Sequence, residues 1–331
     1  MDDLFSDAVR QLLTDRCTPA VVRQIEAGGS PVALWQDLEA AGFADALVPE
    51  AQGGAGLSLT EVYPVLELCG AHAVPVPLAE TLLARAALAR AGVPIPKGSM
   101  ALARGRSTDA GGLCCDTVQG GRVADWVLVA IGGQGVLLPA AQAVQTPASF
   151  ALDAGLTWTP AQVTAVAPLS VAPDVQLLLA CANAAQLAGA LLSVFNRTLQ
   201  YANDRNQFGR PIGKFQAIQH QLSVMAEQTF AARMAAQIGC CSVTSQPERL
   251  RVAVAKARTS EAVVEVAALS HSIHGAIGFT AEFDLQLFTR RLHAWRQAGG
   301  SESYWHDVVG AEALDHPGLA LDLIRIATEV V

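Results

Sequence analysis

From Val175 to Asn203 the chain contains no carboxylate, and from Val175 to Asn196 it contains no charge of either sign. A run of that length suits only two environments, the hydrocarbon core of a bilayer or the interior of a helical bundle. The polar residues decide between them. At about 100° per residue, Gln176, Asn183, Gln186 and Ser193 fall within about a quarter-turn. A single polar stripe on an otherwise apolar helix predicts a bundle helix turning one face to a polar site, and no membrane span.

The flanking sequence fits a bundle. Over residues 1–98, helical apolar patterns such as AVRQLL and VALWQDLEAAGF alternate with turns containing Gly and Pro, which predicts an N-terminal helical domain. Over residues 99–172, the β-branched runs WVLVAI, GVLLPA and VTAVAPL are separated by turn residues and predict a short middle β domain, a small sheet or barrel. Residues 173–331 return to helix. Phe215 to Cys241 places apolar residues three and four apart, Pro247 suits the first turn of a helix running toward Ser272, and shorter helical segments follow. Long helices joined by short turns make an up-and-down four-helix bundle. The expected fold class is mainly α with a small β domain.

Composition narrows the function. With 51% hydrophobic residues in 331, the chain can bury a large core. Its net charge of -8 and its 16% charged content disfavour a general nucleic-acid surface, because the phosphate backbone would be repelled. The opening MDDLFSDAVR has acids where a secretory signal has basic residues, which predicts a cytoplasmic protein. Seven cysteines, with Cys114–Cys115 and Cys240–Cys241 adjacent, fit neither a disulfide framework nor zinc spacing and read as reduced and structural.

Against that acidic background, YANDRNQFGRPIGKFQAIQ over residues 201–219 concentrates Arg205, Arg210 and Lys214. A helix C-terminus accounts for one cation, and Gly209, Pro211 and Gly213 for a tight corner. The functional alternative is a guanidinium offering paired donors to a phosphate or diphosphate, with Phe208 presenting an apolar face to a ring. Gln207, Gln216 and Gln219 add neutral donors and acceptors for hydroxyl groups. A second segment, HSIHGAIGFTAEFDLQLFTRR over residues 271–291, places Gly275 and Gly278 after a long helix. Glycine there either ends the helix or admits a ligand close to the backbone. His271 and His274 have no third ligand at helical spacing, so no metal is expected.

Together the two segments resemble the acyl-CoA dehydrogenase family. The pattern YAxxRxQFGxPIxxFQxIQ is matched at Tyr201, Ala202, Arg205, Gln207, Phe208, Gly209, Pro211, Ile212, Phe215, Gln216, Ile218 and Gln219. The pattern QxHGGxGFTxE is matched at His274, Gly275, Ile277, Gly278, Phe279, Thr280 and Glu282, and GFADALVPEAQGGAGLS is similar to a family loop. The resemblance implies a helical N-terminal domain, a middle β-barrel-like domain and a C-terminal four-helix bundle. It implies FAD lying across an interface between subunits, with acyl-CoA as substrate and an electron-transfer flavoprotein as acceptor. Carried over residue by residue, it puts Arg205, Phe208, Gln216 and Gly275 on the diphosphate and adenosine half of FAD. Gln207, Ser272 and Gly278 join them in the expected cofactor-binding set.

The resemblance breaks where the chemistry would be. Removing an α-proton requires a carboxylate beside the flavin. The two family positions for it fall on Ala298 and Leu179, and no acid lies anywhere in Val175 to Asn203 to replace it. ALARGRSTDAGGLCCDT shows neither the TEPxxGSD-like loop nor, further on, the WIT-like strand that hold flavin and thioester in the family. The leading expectation is therefore a subunit of a heteromer, such as the α2β2 pairs of bacterial steroid side-chain degradation. The alternatives are a self-sufficient dehydrogenase with Asp174, Glu282 or Glu302 as base, and a non-catalytic scaffold.

Overall fold

The structure, a computed structural model, describes residues 2–329. Helices lead: α1 (Asp2–Arg16), α2 (Pro19–Glu26), α3 (Val32–Ala40), α4 (Leu59–Ala71) and α5 (Leu78–Arg90). Local chemistry sets their ends. Thr18 stands extended ahead of α2, its Oγ1 accepting the Val21 N–H at 3.4 Å, with Pro19 supplying a preset first turn. Helix α5 is buried from Leu78 to Ala89, so its Ala- and Leu-rich sequence shows no polar face.

The charge inside α5 is neutralised in place. Arg85, only 3% exposed, donates from Nη1 to Asp45 Oδ1 at 2.8 Å and from Nη2 to Gly98 O at 2.9 Å and to the Glu39 carboxylate. Burial pushes the Glu39 carboxyl up, but the Gly98 N–H and the Arg85 guanidinium outweigh it and hold the group below its ordinary value. Arg85 thereby ties α3, the turn at Asp45 and the entry to the strands to one point.

The strands are β1 (Met100–Arg104), β2 (Arg106–Ser107), β3 (Leu113–Val118), β4 (Trp126–Ile131), β5 (Gln134–Pro139), β6 (Val144–Pro147) and β7 (Ala154–Trp158). They form a three-stranded sheet β1-β4-β5 and a four-stranded sheet β2-β3-β7-β6 around Leu113, Val127, Val129, Leu138, Leu156 and Trp158. Trp158 is fully buried and donates from Nε1 to Pro139 O at 2.9 Å, joining the two sheets. WVLVAI and GVLLPA are β4 and β5, paired antiparallel. VTAVAPL is not a strand. Thr159 and Gln162 make a reciprocal capping box with Pro160 in the first turn, and the segment opens as the short helix α6 (Pro160–Thr164).

Helix α7 (Val175–Asp204) spans the uncharged run, and its most apolar 18-residue window is 83% buried, as a core helix is. It approaches α4 at two glycines. A Cβ on Gly70 would lie 1.8 Å from Gln186 O, and one on Gly189 would lie 1.9 Å from Glu67 O. Ser193, on the polar stripe, donates to Ala71 O at 2.8 Å and closes the same crossing.

Beyond α7 come a hairpin of β8 (Asn206–Gln207) and β9 (Arg210–Pro211), then α8 (Gln216–Gly239), α9 (Arg249–His274), α10 (Leu285–Gln297), α11 (Glu302–Asp315) and α12 (Ala320–Thr328). Pro247 lies just ahead of the cap of α9 rather than in its first turn. Glu248 is the cap, accepting the Leu250 and Arg251 N–H groups at 3.0 and 3.1 Å. The chain forms two compact units. One contains β1 to β7 and α7 as far as Ala182; the other contains α7 from Asn183, the β8–β9 hairpin, the later helices, and Glu67–Ala73 of α4.

Two stability measurements check this reading. Arg85→Leu leaves Glu39 and Asp45 without their buried counter-charge and should cost about 3–5 kcal/mol by denaturant unfolding. Gly189→Ala should cost about 3 kcal/mol or more, because backbone rather than a flexible side chain blocks the new methyl. Gly310→Ala, in α11 with nothing within 4 Å of the added carbon, should instead stabilise by about 0.5–1 kcal/mol.

Candidate functional site

Helix α7 ends where the sequence predicts: the Arg205 N–H still reaches Tyr201 O at 2.9 Å, and the Ile212 N–H returns to Arg205 O at 2.8 Å. Between those bonds Asn206 pairs with Pro211 and Gln207 with Arg210, leaving Phe208 and Gly209 as a two-residue turn. Both turn residues are left-handed, with φ of +52° at Phe208 and +81° at Gly209, the backbone that a right-twisted hairpin favours. Glycine adopts it freely; phenylalanine does so at a cost of order 1 kcal/mol or more. The Phe208 ring is nevertheless 91% exposed, so burial does not repay the strain.

The three cations of this segment separate. The Arg210 guanidinium lies 4.3 Å over the Phe215 ring, whose other contact is the edge of Phe208 at 6.1 Å. Lys214 is exposed on a single turn of 3₁₀-helix, Ile212–Lys214. Arg205 is exposed and has no side-chain hydrogen bond or ion pair among the described residues. After the hairpin α8 starts uncapped, since Phe215 occupies the cap position and offers no side-chain acceptor. A 24-residue helix beginning that way presents free N–H groups and the positive end of its dipole. Gln207 and Gln216 are exposed at the same turn.

The second segment meets the first through Tyr201. Its ring stacks on His274 at 4.3 Å and 25°, its hydroxyl donates to His274 O at 3.4 Å, and Phe283 closes over both. One turn of α7 later stands Arg205; one residue after His274 stands Gly275. Gly275 ends α9 with φ of +64° and has open space where a Cβ would point. Ser272 is exposed nearby in sequence, on the last turn of α9. Gly278 has a different reason: a Cβ there would lie 2.9 Å from His274 Cβ and 3.2 Å from Leu285 Cδ2, so this buried glycine serves packing.

Burial disfavours the charged form of both histidines. His274 Nδ1 lies 2.7 Å from Ser270 O, and a carbonyl only accepts, so Nδ1 carries the proton and Nε2 is a bare acceptor. Burial lowers both His271 and His274, whose rings are further occupied by stacking, His271 on Phe279 at 4.2 Å.

No acid stands at either base position. Leu179 is a buried apolar side chain of α7, and Ala298 ends α10 half-buried. Two of the three substitute acids have structural work. Asp174 Oδ1 accepts the Leu177 N–H at 3.0 Å at the start of α7. Glu302 is held by both Arg296 Nε, at 3.1 Å, and Arg296 Nη2. Burial raises its carboxyl, but Arg296, its own N–H and Lys256 outweigh that and keep it below the ordinary value. Glu282 is exposed in the turn before α10.

Several features were invisible to pattern reading: the left-handed Phe208, the uncapped start of α8, and Tyr201 as the link between the segments. An aromatic immediately before glycine in a two-residue hairpin was the available signal for the first.

The architecture is of a three-region, helix–strand–helix type. Residues 2–95 match the acyl-CoA dehydrogenase N-terminal domain and residues 180–329 the acyl-CoA dehydrogenase C-terminal domain. The chain is 33% identical over 299 residues to the acyl-CoA dehydrogenase IpdE2 of Mycobacterium tuberculosis, covering 89% of this chain and 91% of that one. Its fold is that of the ChsE4–ChsE5 complex of the same organism, with TM-score 0.81, 22% identity, and 96% and 98% of the two chains covered. It is equally that of the Tcur3481–Tcur3483 steroid ACAD, with TM-score 0.82, 24% identity, and 95% and 98% covered. The chain belongs to the acyl-CoA dehydrogenase family, whose members are FAD-dependent oxidoreductases.

Phe208→Gly removes the left-handed strain while touching no buried contact. It should raise the stability of the isolated chain by about 1 kcal/mol in denaturant unfolding.

Proposed function

We propose that this chain is one subunit of a heteromeric FAD-dependent acyl-CoA dehydrogenase, lending part of the FAD site to a second acyl-CoA dehydrogenase-like chain that carries the catalytic base. The reaction is α,β-dehydrogenation of an acyl-CoA thioester, in which bound FAD supplies the hydride acceptor. One observation carries the reading: Arg205 is a solvent-facing cation with no partner among the described residues, set ahead of an uncapped helix start, on a chain with Leu179 and Ala298 at the base positions.

The residues suit the nucleotide half of that cofactor. Arg205 and the α8 N–H groups favour a diphosphate. Phe208 offers an apolar face; Gln207, Gln216 and Ser272 offer neutral partners for sugar or ribityl hydroxyls; Gly275 leaves its backbone approachable. Gly278 supports the turn by packing. Proton abstraction needs a carboxylate in reach of the substrate, and here the partner supplies it. The paired names of the ChsE4–ChsE5 and Tcur3481–Tcur3483 structures support a heteromer, and the word steroid in the second supports a bulky acyl group in lipid or steroid degradation. The reading keeps three domains, 1–98, 99–172 and 173–331, a cytoplasmic location, and an electron-transfer flavoprotein as acceptor.

A second reading rests on Glu282, the one substitute acid without a structural partner among the described residues: a self-sufficient homo-oligomer using that base. Co-purification with the partner chain separates the two. On the first reading the lone chain is colourless and inactive and the complex is yellow. On the second the lone chain is yellow, active, and silenced by Glu282→Gln. Within the complex, Arg205→Ala should weaken FAD retention about 10- to 100-fold, measured by flavin absorbance after gel filtration. Unchanged flavin content and assembly would end the first reading.

A further inference from the structure

Lys256, in the N-terminal half of α9, is completely buried, and none of the chemistry above uses it. Its Nζ lies 2.9 Å from Ser260 Oγ, 2.8 Å from Arg296 O and 3.0 Å from Gly300 O. The two carbonyls bracket a short bend. Arg296 is in the last turn of α10, Ala298 caps it in an extended conformation, and Gly299 and Gly300 follow with φ of +69° and +106°. Those left-handed glycines turn the backbone so that both carbonyls reach one nitrogen. The bend is held at two further points: Trp305 Nε1 donates to Gly299 O at 3.0 Å, and Glu302 grips Arg296 across it.

We propose that Lys256 is a positioning residue, a buried amine bonded to both ends of the 296–300 segment, which sets where position 298 stands in the fold. The geometry serves either protonation state. An ammonium has three protons for three acceptors. A neutral amine has two for the carbonyls and a lone pair for the Ser260 hydroxyl, which then donates. The charges facing it are Glu302 and Arg296. Burial lowers its pKa to about 7, with Glu302 opposing and Arg296 adding. This chain thus keeps the support of a segment that holds no acid at position 298.

The test uses the full-length chain. Lys256→Met keeps the volume and removes every donor of the amine, taking from Gly300 O its bond and leaving Arg296 O the Ser260 Oγ contact at 3.5 Å. Amide exchange of residues 298–302 should quicken at least tenfold and Trp305 emission should shift to the red, with exchange in α7 unchanged. A uniform quickening, or none, would overturn the proposal. Lys256→Ala provides a second arm that does not depend on a stable Met variant. n-Propylammonium, with N–H donors, should raise its melting temperature and restore Trp305 emission, and tetramethylammonium, with none, should not. Equal responses to the two cations would refute the role. The wild-type chain should also gain stability as pH rises from about 7 toward 10.5, because the unfolded chain holds a proton the folded one has released. Lys256→Met should lose that slope, and its persistence would count against Lys256.

Discussion

The contact on which most else depends is the one between α4 and α7, where each helix uses a glycine to let the other's carbonyl into the space of a missing side chain. At Gly70 and Gly189 the backbones themselves touch, so there is no flexible group to absorb an error. The helix axis is fixed at that height, and Ser193 fixes it again one turn on. Because α7 continues unbroken to Asp204, the place where Arg205 leaves the helix is set by packing four turns earlier.

What emerges from that frame is an open arrangement. Arg205, Gln207, Phe208 and Gln216 are exposed. Three buried cations have close partners: Arg85 between two carboxylates, Lys256 among carbonyls, Arg251 on the carbonyls of Cys241 and Glu329. Phe208 holds a strained backbone without being buried.

Much of the fold was legible because the deciding signals were local. An uncharged run with one polar stripe reads as a core helix, and β-branched runs between glycine turns read as β4 and β5. The reading failed where a side chain overruled a pattern. VTAVAPL looked like a strand until Thr159 and Gln162 capped a helix, and Pro247 looked like a first turn until Glu248 took the cap. Within the site, the residue types were readable and their arrangement was not. Gly278 and Gly275 look alike in sequence, yet one answers to the crowding of His274 and the other to open space. Tyr201 matched a pattern, but its stacking on His274 joins segments about 70 residues apart, a distance no local signal spans.

Phe208 at the tip, with Ile277 and Phe279 also exposed in the second segment, has a bearing on how such a protein survives in a cell. An isolated copy displays bare aromatic surface, a feature by which chaperones and proteases sort chains. Covering those rings would therefore lengthen the life of the chain as well as remove apolar area from water.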